Sequence, residues 1–238
     1  MNGNGIPKTI KSPLDGSEMR LTWNDEFDGD KINGKTWQLY DRMWAKNRVI
    51  TTTDPRNFAL ENGEAVMRTY REDGHYTSHK SLTTFDRMSF RYGYLEINAI
   101  VPFSRGAFPA FWLQSAWQHR SVDYMTEVDV FEVYKAGYVE STLHKWYLKD
   151  PVTGPHTRHD WNTPLSYTFP EDHWESLSHE YHRWGFLWIP EKIAITLDGN
   201  IITGEALGAA IPFALALAIR LAGQQASNAV KQGIVYRY

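Results

Sequence analysis

The sequence predicts an all-β fold of the sandwich type, and three observations lead to it. Segments of alternating apolar and polar residues recur along the chain, which is the period of a half-buried strand. Residues that tolerate a positive φ separate these segments, as in Glu61-Asn62-Gly63 and Asp198-Gly199-Asn200. No convincing long helix precedes residue 200, which disfavours barrel and doubly wound α/β folds. A length of 238 residues suits one large all-β domain.

The clearest predicted strand runs from Tyr92 to Val101. Its apolar face carries Leu95, Ile97, Ala99 and Val101, and its polar face carries Tyr94, Glu96 and Asn98. The same alternation predicts further strands at Glu64-Tyr70, Phe108-Leu113, Glu127-Tyr134, Val139-Trp146, Arg183-Ile189, Ile193-Leu197 and Ile234-Tyr238. The segment from Ala206 to Leu221 also alternates and is interpreted as a strand, although its alanines and leucines leave a helix as the alternative.

The segment EVDVFE at positions 127–132 places three carboxylates among strongly β-forming apolar residues. Ionised carboxylates are costly to desolvate and rarely gather on a buried strand unless chemistry uses them. Residues two apart share a face of a strand, so Glu127 and Asp129 point one way and Glu132 points the other way. A β-bulge near Val130-Phe131 would bring Glu132 onto the face of the other two. We therefore predict a bulge at this place.

Such a set of acids suits glycoside hydrolysis. A retaining mechanism uses one carboxylate as nucleophile and a second, about 5 Å away, as proton donor. Asp129 between them can hydrogen-bond Glu127, and repulsion among the three raises the pKa of the group that must stay protonated. The alternative is a solvated edge strand whose acids face water.

Composition excludes several other classes of protein. The net charge of −3 and the dispersed basic residues suggest neither a nucleic-acid-binding stripe nor a membrane surface. No cysteine is present, so neither disulfides nor thiol chemistry are expected. The start of the chain, Met1 to Ser12, has no apolar stretch, so we expect that any secretory signal peptide has been removed or never existed. Ten Trp and thirteen Tyr exceed the needs of a core and indicate binding platforms.

Several segments together resemble glycoside hydrolase family 16, in particular its branch of laminarinases, agarases and carrageenases with a bulged Glu-x-Asp-x-x-Glu motif. They are Trp23-Asn24-Asp25-Glu26-Phe27-Asp28-Gly29, Tyr92-Gly93-Tyr94-Leu95-Glu96, Phe108-Pro109-Ala110-Phe111-Trp112-Leu113, the acidic segment, and His182-Arg183-Trp184 through Leu197-Asp198-Gly199. The resemblance implies a β-jelly-roll of two curved antiparallel sheets with an open cleft. It also implies that residues 1–238 form a single catalytic domain.

Carried over to this sequence, the resemblance implies that Glu127 is the nucleophile, Glu132 the general acid and then base, and Asp129 an assisting acid. His144, on the following strand, matches a family histidine beside the nucleophile. An antiparallel pairing of the two strands would place His144 across from the acids, where an imidazole can bond a carboxylate or a sugar hydroxyl. The alternative for His144 is a histidine at the edge of the core.

The candidates for substrate binding are Trp112, Trp117, Trp146, Glu96 and Asn98. Trp112 matches a family position, whereas a tryptophan in a sandwich is as often a core residue as a ligand platform, which weakens Trp117 and Trp146. Glu96 and Asn98 share the polar face of their strand and are expected to reach the groove, with a solvent-facing surface as the alternative. No metal site is predicted, because the pairs His156/His159 and His179/His182 lack an acidic or thiolate partner at ligand spacing.

Departures from the family pattern concern the sugar rather than the reaction. Residues 123–126 replace the common Trp-Pro and Gly, Asn98 stands where many laminarinase-like members carry Arg, and Phe108 stands where they carry Trp. An acid often found in the last strand is missing as well. Together these departures leave the structural calcium ion that some members bind as a weakly supported alternative.

We expect a monomeric, extracellular or periplasmic endo-β-glucanase that needs no cofactor. It would cleave β-1,3 or mixed β-1,3/1,4 linkages of a polysaccharide with retention. The alternatives are a galactan hydrolase, for which Arg48, Arg91, Arg105 and Arg120 could bind sulfate, and a non-catalytic sugar-binding jelly roll.

Overall fold

The computed structural model of the chain describes residues 6–40, 49–104, 107–115, 124–147, 158–168, 171–190 and 192–205. The chain divides into two compact units, one of Met1–Ile10 and Arg20–Phe90 and the other of Lys11–Met19 and Arg91–Tyr238. The single domain expected for residues 1–238 stays a prediction. The segment 206–221 and the strand expected at 234–238 lie outside the described residues.

The first unit contains short strands. The chain begins with a two-stranded sheet of β1 (Thr9–Lys11) and β2 (Glu18–Arg20), of which the residues Lys11–Met19 belong to the second unit. It continues with β3 (Gln38–Tyr40), β4 (Val49–Thr52), β5 (Phe58–Glu61), β6 (Glu64–Met67), β7 (Thr69–Glu72), β8 (His75–His79) and β9 (Ser81–Thr83). These pair as β3-β9, β4-β8-β7 and β5-β6. The β4–β8 pair is parallel, which differs from the purely antiparallel arrangement that was expected.

The predicted strand at Glu64-Tyr70 is divided into β6 and β7. Arg68 lies between them, and its backbone N–H donates to the carbonyl of the buried Asn57. The Asn57 amide in turn donates to the carbonyls of Arg68 and Thr77. These hydrogen bonds fix the chain at the point between β6, which pairs with β5, and β7, which pairs with β8. Alternation alone does not reveal such a change of partner.

In the part of the second unit that the structure describes, the strands form two four-stranded antiparallel sheets. Its strands are β10 (Gly93–Ala99), β11 (Ala110–Gln114), β12 (Tyr124–Lys135), β13 (Tyr138–Tyr147), β14 (Arg158–Thr168), β15 (His182–Ile189), β16 (Lys192–Leu197) and β17 (Asn200–Glu205). The order β10-β15-β16-β17 forms one sheet, named the β10 sheet, and β11-β12-β13-β14 forms the other, named the β12 sheet. One helix, α1 (Glu171–His179), precedes β15.

An apolar core separates the two sheets of the second unit. Phe131 of β12 and Trp184 of β15 are both buried, with ring centroids 4.7 Å apart. Buried members of the same cluster are Val101, Phe103, Val133, Val139 and Leu177, and a second cluster contains Val130, Phe186 and Ile195. The predicted sandwich is therefore confirmed. Burial of such side chains from water is its main stabilising contribution.

The turns and the helix follow local rules. Asn62 and Gly63 join β5 to β6, and Asp198 and Gly199 join β16 to β17, all four with positive φ as predicted. The short helix α1 was not expected, because only Leu177 among its described side chains is buried in the core. No helix among the described residues is both long and apolar enough to cross a membrane.

Candidate active site

A β-bulge interrupts β12 between Asp129 and Glu132. Two residues separate these acids on β12, whereas only one separates their partners Thr142 and Glu140 on β13. The same count holds on the other side, where Trp112 and Ala110 of β11 pair with Asp129 and Glu132. Two residues opposite one is the definition of a bulge. The irregularity predicted from the sequence is confirmed.

The bulge sets which side chains share a face. Val130 and Phe131 are adjacent in sequence, yet both are buried in the core between the sheets. Two consecutive inward residues reverse the alternation beyond them, so Glu132 returns to the face that carries Glu127 and Asp129. The β12 sheet therefore presents three carboxyl groups on the face opposite to the core.

Glu127 is held by a neighbour on β11. It is 9% exposed, and the Gln114 amide Nε2 donates to its Oε2 at 2.8 Å. Gln114 lies directly opposite Glu127 in the strand register. Gln114 was not predicted from the sequence, although its position two residues after Trp112 places it on the same face of β11. The hydrogen bond from the Gln114 amide restricts the orientation of the Glu127 carboxylate.

Asp129 is paired with His144. Asp129 is 3% exposed, and its Oδ2 lies 2.8 Å from His144 Nε2. His144 is opposite Glu127 on β13, which is the arrangement that was expected. Burial lowers the pKa of His144, but the hydrogen bond to Asp129 and the nearby carboxylates outweigh it, so the pKa is raised overall. The imidazolium form is thereby favoured next to the acids.

Glu132 lies in a different environment from Glu127. Burial is the largest cause, and the charge of Asp129 the next, of the rise in the pKa of Glu132 to about 7. The charge of Glu140 acts in the same direction, while a hydrogen bond from Tyr134 and the charge of His144 act against it. A carboxyl group with this pKa is protonated in a substantial fraction of molecules near neutral pH. It has the property that a general acid requires.

The donor atoms of Glu127, Asp129 and His144 lie within 4.8 Å of one another, which is close enough to raise the question of a bound cation. Two ligands about 2.1 Å from a tetrahedral metal ion would be roughly 3.4 Å apart. The 2.8 Å between His144 Nε2 and Asp129 Oδ2 is shorter and is a normal hydrogen-bond distance. We therefore interpret the contact between Asp129 and His144 as a hydrogen bond, beside which Glu127 accepts its own hydrogen bond from Gln114.

The raised pKa of Glu132 predicts a stability effect with a definite sign. The folded pKa is about 7 and the reference value is 4.5, so the folded state binds the proton more tightly. Wild-type stability therefore falls as pH rises through this window. Glu132→Gln does not titrate there, so its free energy of unfolding should exceed that of wild type by about 2 kcal/mol at pH 8, after a discount for solvent screening.

Urea unfolding of both proteins at pH 4 and pH 8 measures this difference. At pH 4 the carboxyl group is mostly protonated in both states, so the two proteins should be about equally stable. A larger advantage of the variant at pH 4 than at pH 8 would contradict the shift.

A known family matches the segment that contains this site. The family model described as Glycosyl hydrolases family 16 matches residues 36–206, well over half of the chain. The chain belongs to glycosyl hydrolase family 16. The family expected from the sequence is confirmed, together with its jelly-roll sandwich fold.

This family 16 chain is also similar to relatives that are named as glucan-cleaving enzymes. Over an alignment of 214 residues that covers 76% of the chain, it is 22% identical to Glucan endo-1,3-beta-glucosidase A1 from Niallia circulans. Over an alignment of 219 residues that covers 79% of the chain, it is 29% identical to Endo-1,3-1,4-beta-glycanase EglC from Rhizobium meliloti strain 1021. The matches span 29% and 43% of the lengths of these two relatives.

The crystal structure of an endo-beta-1,3-glucanase from Pyrococcus furiosus is similar to this family 16 chain. The TM-score is 0.65 at 23% identity, covering 84% of this chain and 79% of that chain. At this level of identity the likeness shows a common fold.

The predicted binding residues of this family 16 chain have different positions. Trp112 is opposite Asp129 in the register, so it lies on the face of the acids. Trp117 lies outside the described residues, and so does the side chain of Trp146. For these three tryptophans, a role in sugar binding stays a prediction.

The expectation that Glu96 and Asn98 reach the groove is wrong. Their strand β10 pairs with β15 in the other sheet, across the core from β12. Ile97 and Ala99 of β10 pack on the core, so Glu96 and Asn98 point away from it. Glu96 instead accepts a hydrogen bond from Tyr94 at 2.8 Å. The sequence identified the polar face correctly but could not identify the sheet.

Of the two histidine pairs that were considered as metal ligands, the structure describes the side chains of one, His179 and His182. His182 lies 2.7 Å from Asp198 Oδ2 through Nδ1, and His179 is exposed beside Glu175. His156 and the side chain of His159 lie outside the described residues.

Proposed function

We propose that this chain is an extracellular, monomeric endo-β-glucanase that hydrolyses internal β-1,3 or mixed β-1,3/1,4 linkages with retention of configuration. The observation that carries the proposal is the bulge that gathers Glu127, Asp129 and Glu132 on one face of the β12 sheet. The names of the glucanase relatives support the linkage types. Because two carboxyl groups supply both nucleophile and proton, the reaction needs no cofactor.

In the first step, Glu127 would attack the anomeric carbon while Glu132 protonates the departing glycosidic oxygen. The bond from the anomeric carbon to that oxygen breaks, and a covalent ester to Glu127 forms. The amide of Gln114 holds the Glu127 carboxylate in one orientation for the attack. The pKa of Glu132, raised to about 7, keeps a proton available for the leaving oxygen.

In the second step, water would attack the anomeric carbon and Glu132 would accept its proton. Glu127 then leaves as a carboxylate, and two inversions yield the original configuration. Asp129 would assist by raising the proton affinity of Glu132 and by holding His144 at 2.8 Å. Trp112, on the same face, would offer its ring to the apolar C–H face of a sugar.

The galactan alternative has no support from the described part of the chain. Arg48, Arg105 and Arg120 lie outside the described residues. Arg91 lies over the ring of Tyr92, with its guanidinium carbon 5.2 Å from the ring centroid.

Reducing-end release from laminarin, lichenan, agarose, carrageenan and xyloglucan tests the proposal. Laminarin or lichenan should yield a ladder of oligosaccharides from early times, and NMR should show the β-anomer first. Release from agarose or carrageenan alone would establish the galactan alternative. Binding of a polymer without any hydrolysis would establish the non-catalytic alternative.

A further inference from the structure

We propose that Tyr134 is a positioning residue for Glu132, whose hydroxyl fixes Oε2 as an acceptor so that the transferable proton resides on Oε1. This inference rests on the proposed function, since it concerns the acid of that reaction. Tyr134 was not among the site residues predicted from the sequence.

The hydrogen bond is direct. Tyr134 follows Glu132 by two residues on β12, and its Oη donates to Glu132 Oε2 at 2.7 Å. A phenol carries a single hydrogen, and a protonated carboxyl group also carries one. If the phenol hydrogen points at Oε2, that oxygen acts as the acceptor. The proton of the acid then occupies Oε1, which is the oxygen left to face a leaving group.

The ring that carries this hydroxyl is held in place. Tyr134 is stacked on Phe108, with ring centroids 4.9 Å apart and an interplanar angle of 27°. Both rings are solvent-exposed, at 51% for Tyr134 and 54% for Phe108. An exposed tyrosine without such a contact would sample several rotamers. Stacking therefore holds the ring in the orientation that directs its hydroxyl at Glu132.

The phenol remains a donor throughout the reaction. Although half of the side chain is exposed, partial desolvation of the phenol and the neighbouring carboxylate of Glu132 raise the pKa of Tyr134, so it stays protonated under working conditions. It can donate to Oε2 when Glu132 carries its proton and also after the proton has left. In the second state the bond stabilises the carboxylate that awaits the water proton.

Other charged groups act on Glu132 without orienting it in this way. Asp129 lies on the same strand, and His144 and Glu140 lie on β13, with Glu140 directly opposite. Ala110 is opposite on β11 and carries no charge. Glu140 accepts its own hydrogen bond from Tyr138 Oη at 2.7 Å. Tyr138 therefore offers a matched control, because Tyr138→Phe removes the same kind of tyrosine–glutamate hydrogen bond from the residue opposite Glu132.

Tyr134→Phe tests the proposal because it keeps the stacked ring and removes only the hydroxyl. We expect kcat on laminarin to fall about ten- to fiftyfold with little change in KM, from the loss of one charge-assisted hydrogen bond. The basic limb of the kcat/KM profile should move about one pH unit higher, since the lost donor favoured the carboxylate. Tyr138→Phe should change kcat less than about threefold.

A substrate with a 2,4-dinitrophenolate leaving group makes the readout specific. This group leaves without protonation, so kcat/KM of Tyr134→Phe on a dinitrophenyl laminari-oligoside should stay within about threefold of wild type. Equal losses on both substrates, an increase in KM alone, or an unmoved basic limb would overturn the proposal. If wild type hydrolyses no polymer, the proposed function fails. If wild type is active and Tyr134→Phe matches it, only the role of Tyr134 fails.

Discussion

Replacing Glu127 by alanine is expected to lower kcat on laminarin about 10⁵-fold, because the covalent intermediate can no longer form. Replacing Glu132 by alanine should lower it by about 10³-fold or more, through loss of both the acid and the base. Both variants should remain folded and bind oligosaccharides, because three crowded carboxyl groups oppose folding more than they favour it. Initial rates and calorimetric binding of a laminari-oligosaccharide measure the two properties separately.

Azide distinguishes the two roles. In Glu127→Ala, azide can enter the vacated space and attack an activated glycoside from the side opposite to the leaving group, which yields an α-glycosyl azide. In Glu132→Ala, the nucleophile remains and azide attacks the covalent intermediate, which yields a β-glycosyl azide. The opposite pair of products would exchange the two assignments. Near-normal hydrolysis by either variant would refute them.

Glu96→Gln serves as the reference for these substitutions. It also changes a glutamate on a strand of the same unit, but one in the β10 sheet whose carboxylate faces away from the core and bonds Tyr94. We expect activity within about twofold of wild type. A large loss would place Glu96 among the groove residues after all.

Asp129→Asn is expected to lower kcat/KM at pH 7 about a hundredfold, less than the loss of either glutamate. The charge of Asp129 raises the pKa of Glu132, so a neutral amide should lower it and leave less of the protonated acid at neutral pH. The basic limb of the kcat/KM profile should therefore move to lower pH. A pH profile from 4 to 9 on laminarin measures the limb, and thermal melts check that the variant is folded.

His144→Gln should shift the basic limb of the kcat/KM profile in the opposite direction to Asp129→Asn. The charge of His144 lowers the pKa of Glu132, so its removal should move the basic limb to higher pH. Shifts of Asp129→Asn and His144→Gln in the same direction would show that the limb does not report Glu132. An unmoved limb in Asp129→Asn would remove Asp129 from the proton balance of the site.

The bulge shows how far sequence reasoning reaches when chemistry and local geometry agree. Three acids separated by two and then three positions cannot share a face of a regular strand. Because Val130 and Phe131 are both strongly apolar, placing both in the core restores the parity, and the structure has this arrangement. His144 could be expected for a related reason, since the following strand in an antiparallel sheet runs back alongside the acids.

Gln114 and Tyr134 were missed because their roles depend on side chains that meet across or along the sheet. Gln114 contacts Glu127 only because the register of β11 and β12 places them opposite each other. Tyr134 bonds Glu132 because Val133 between them is buried in the core and Phe108 stacks on the tyrosine ring, although the register with β13 shifts again between Glu132 and Lys135. An exposed tyrosine and a glutamine carry no distinguishing signal in a single sequence.

By itself the sequence determined the strand class, the polar and apolar faces of β10, the hairpin turns, the family and the place of the bulge. These follow from periodicity, from residues that tolerate positive φ, and from motifs, all of which are local along the chain. Only the tertiary structure decided which sheet each strand joins, and thus that Glu96 and Asn98 lie on the far side of the core from the acids. The physical reason is that strand pairing depends on long-range contacts, whereas alternation records only that one face is buried.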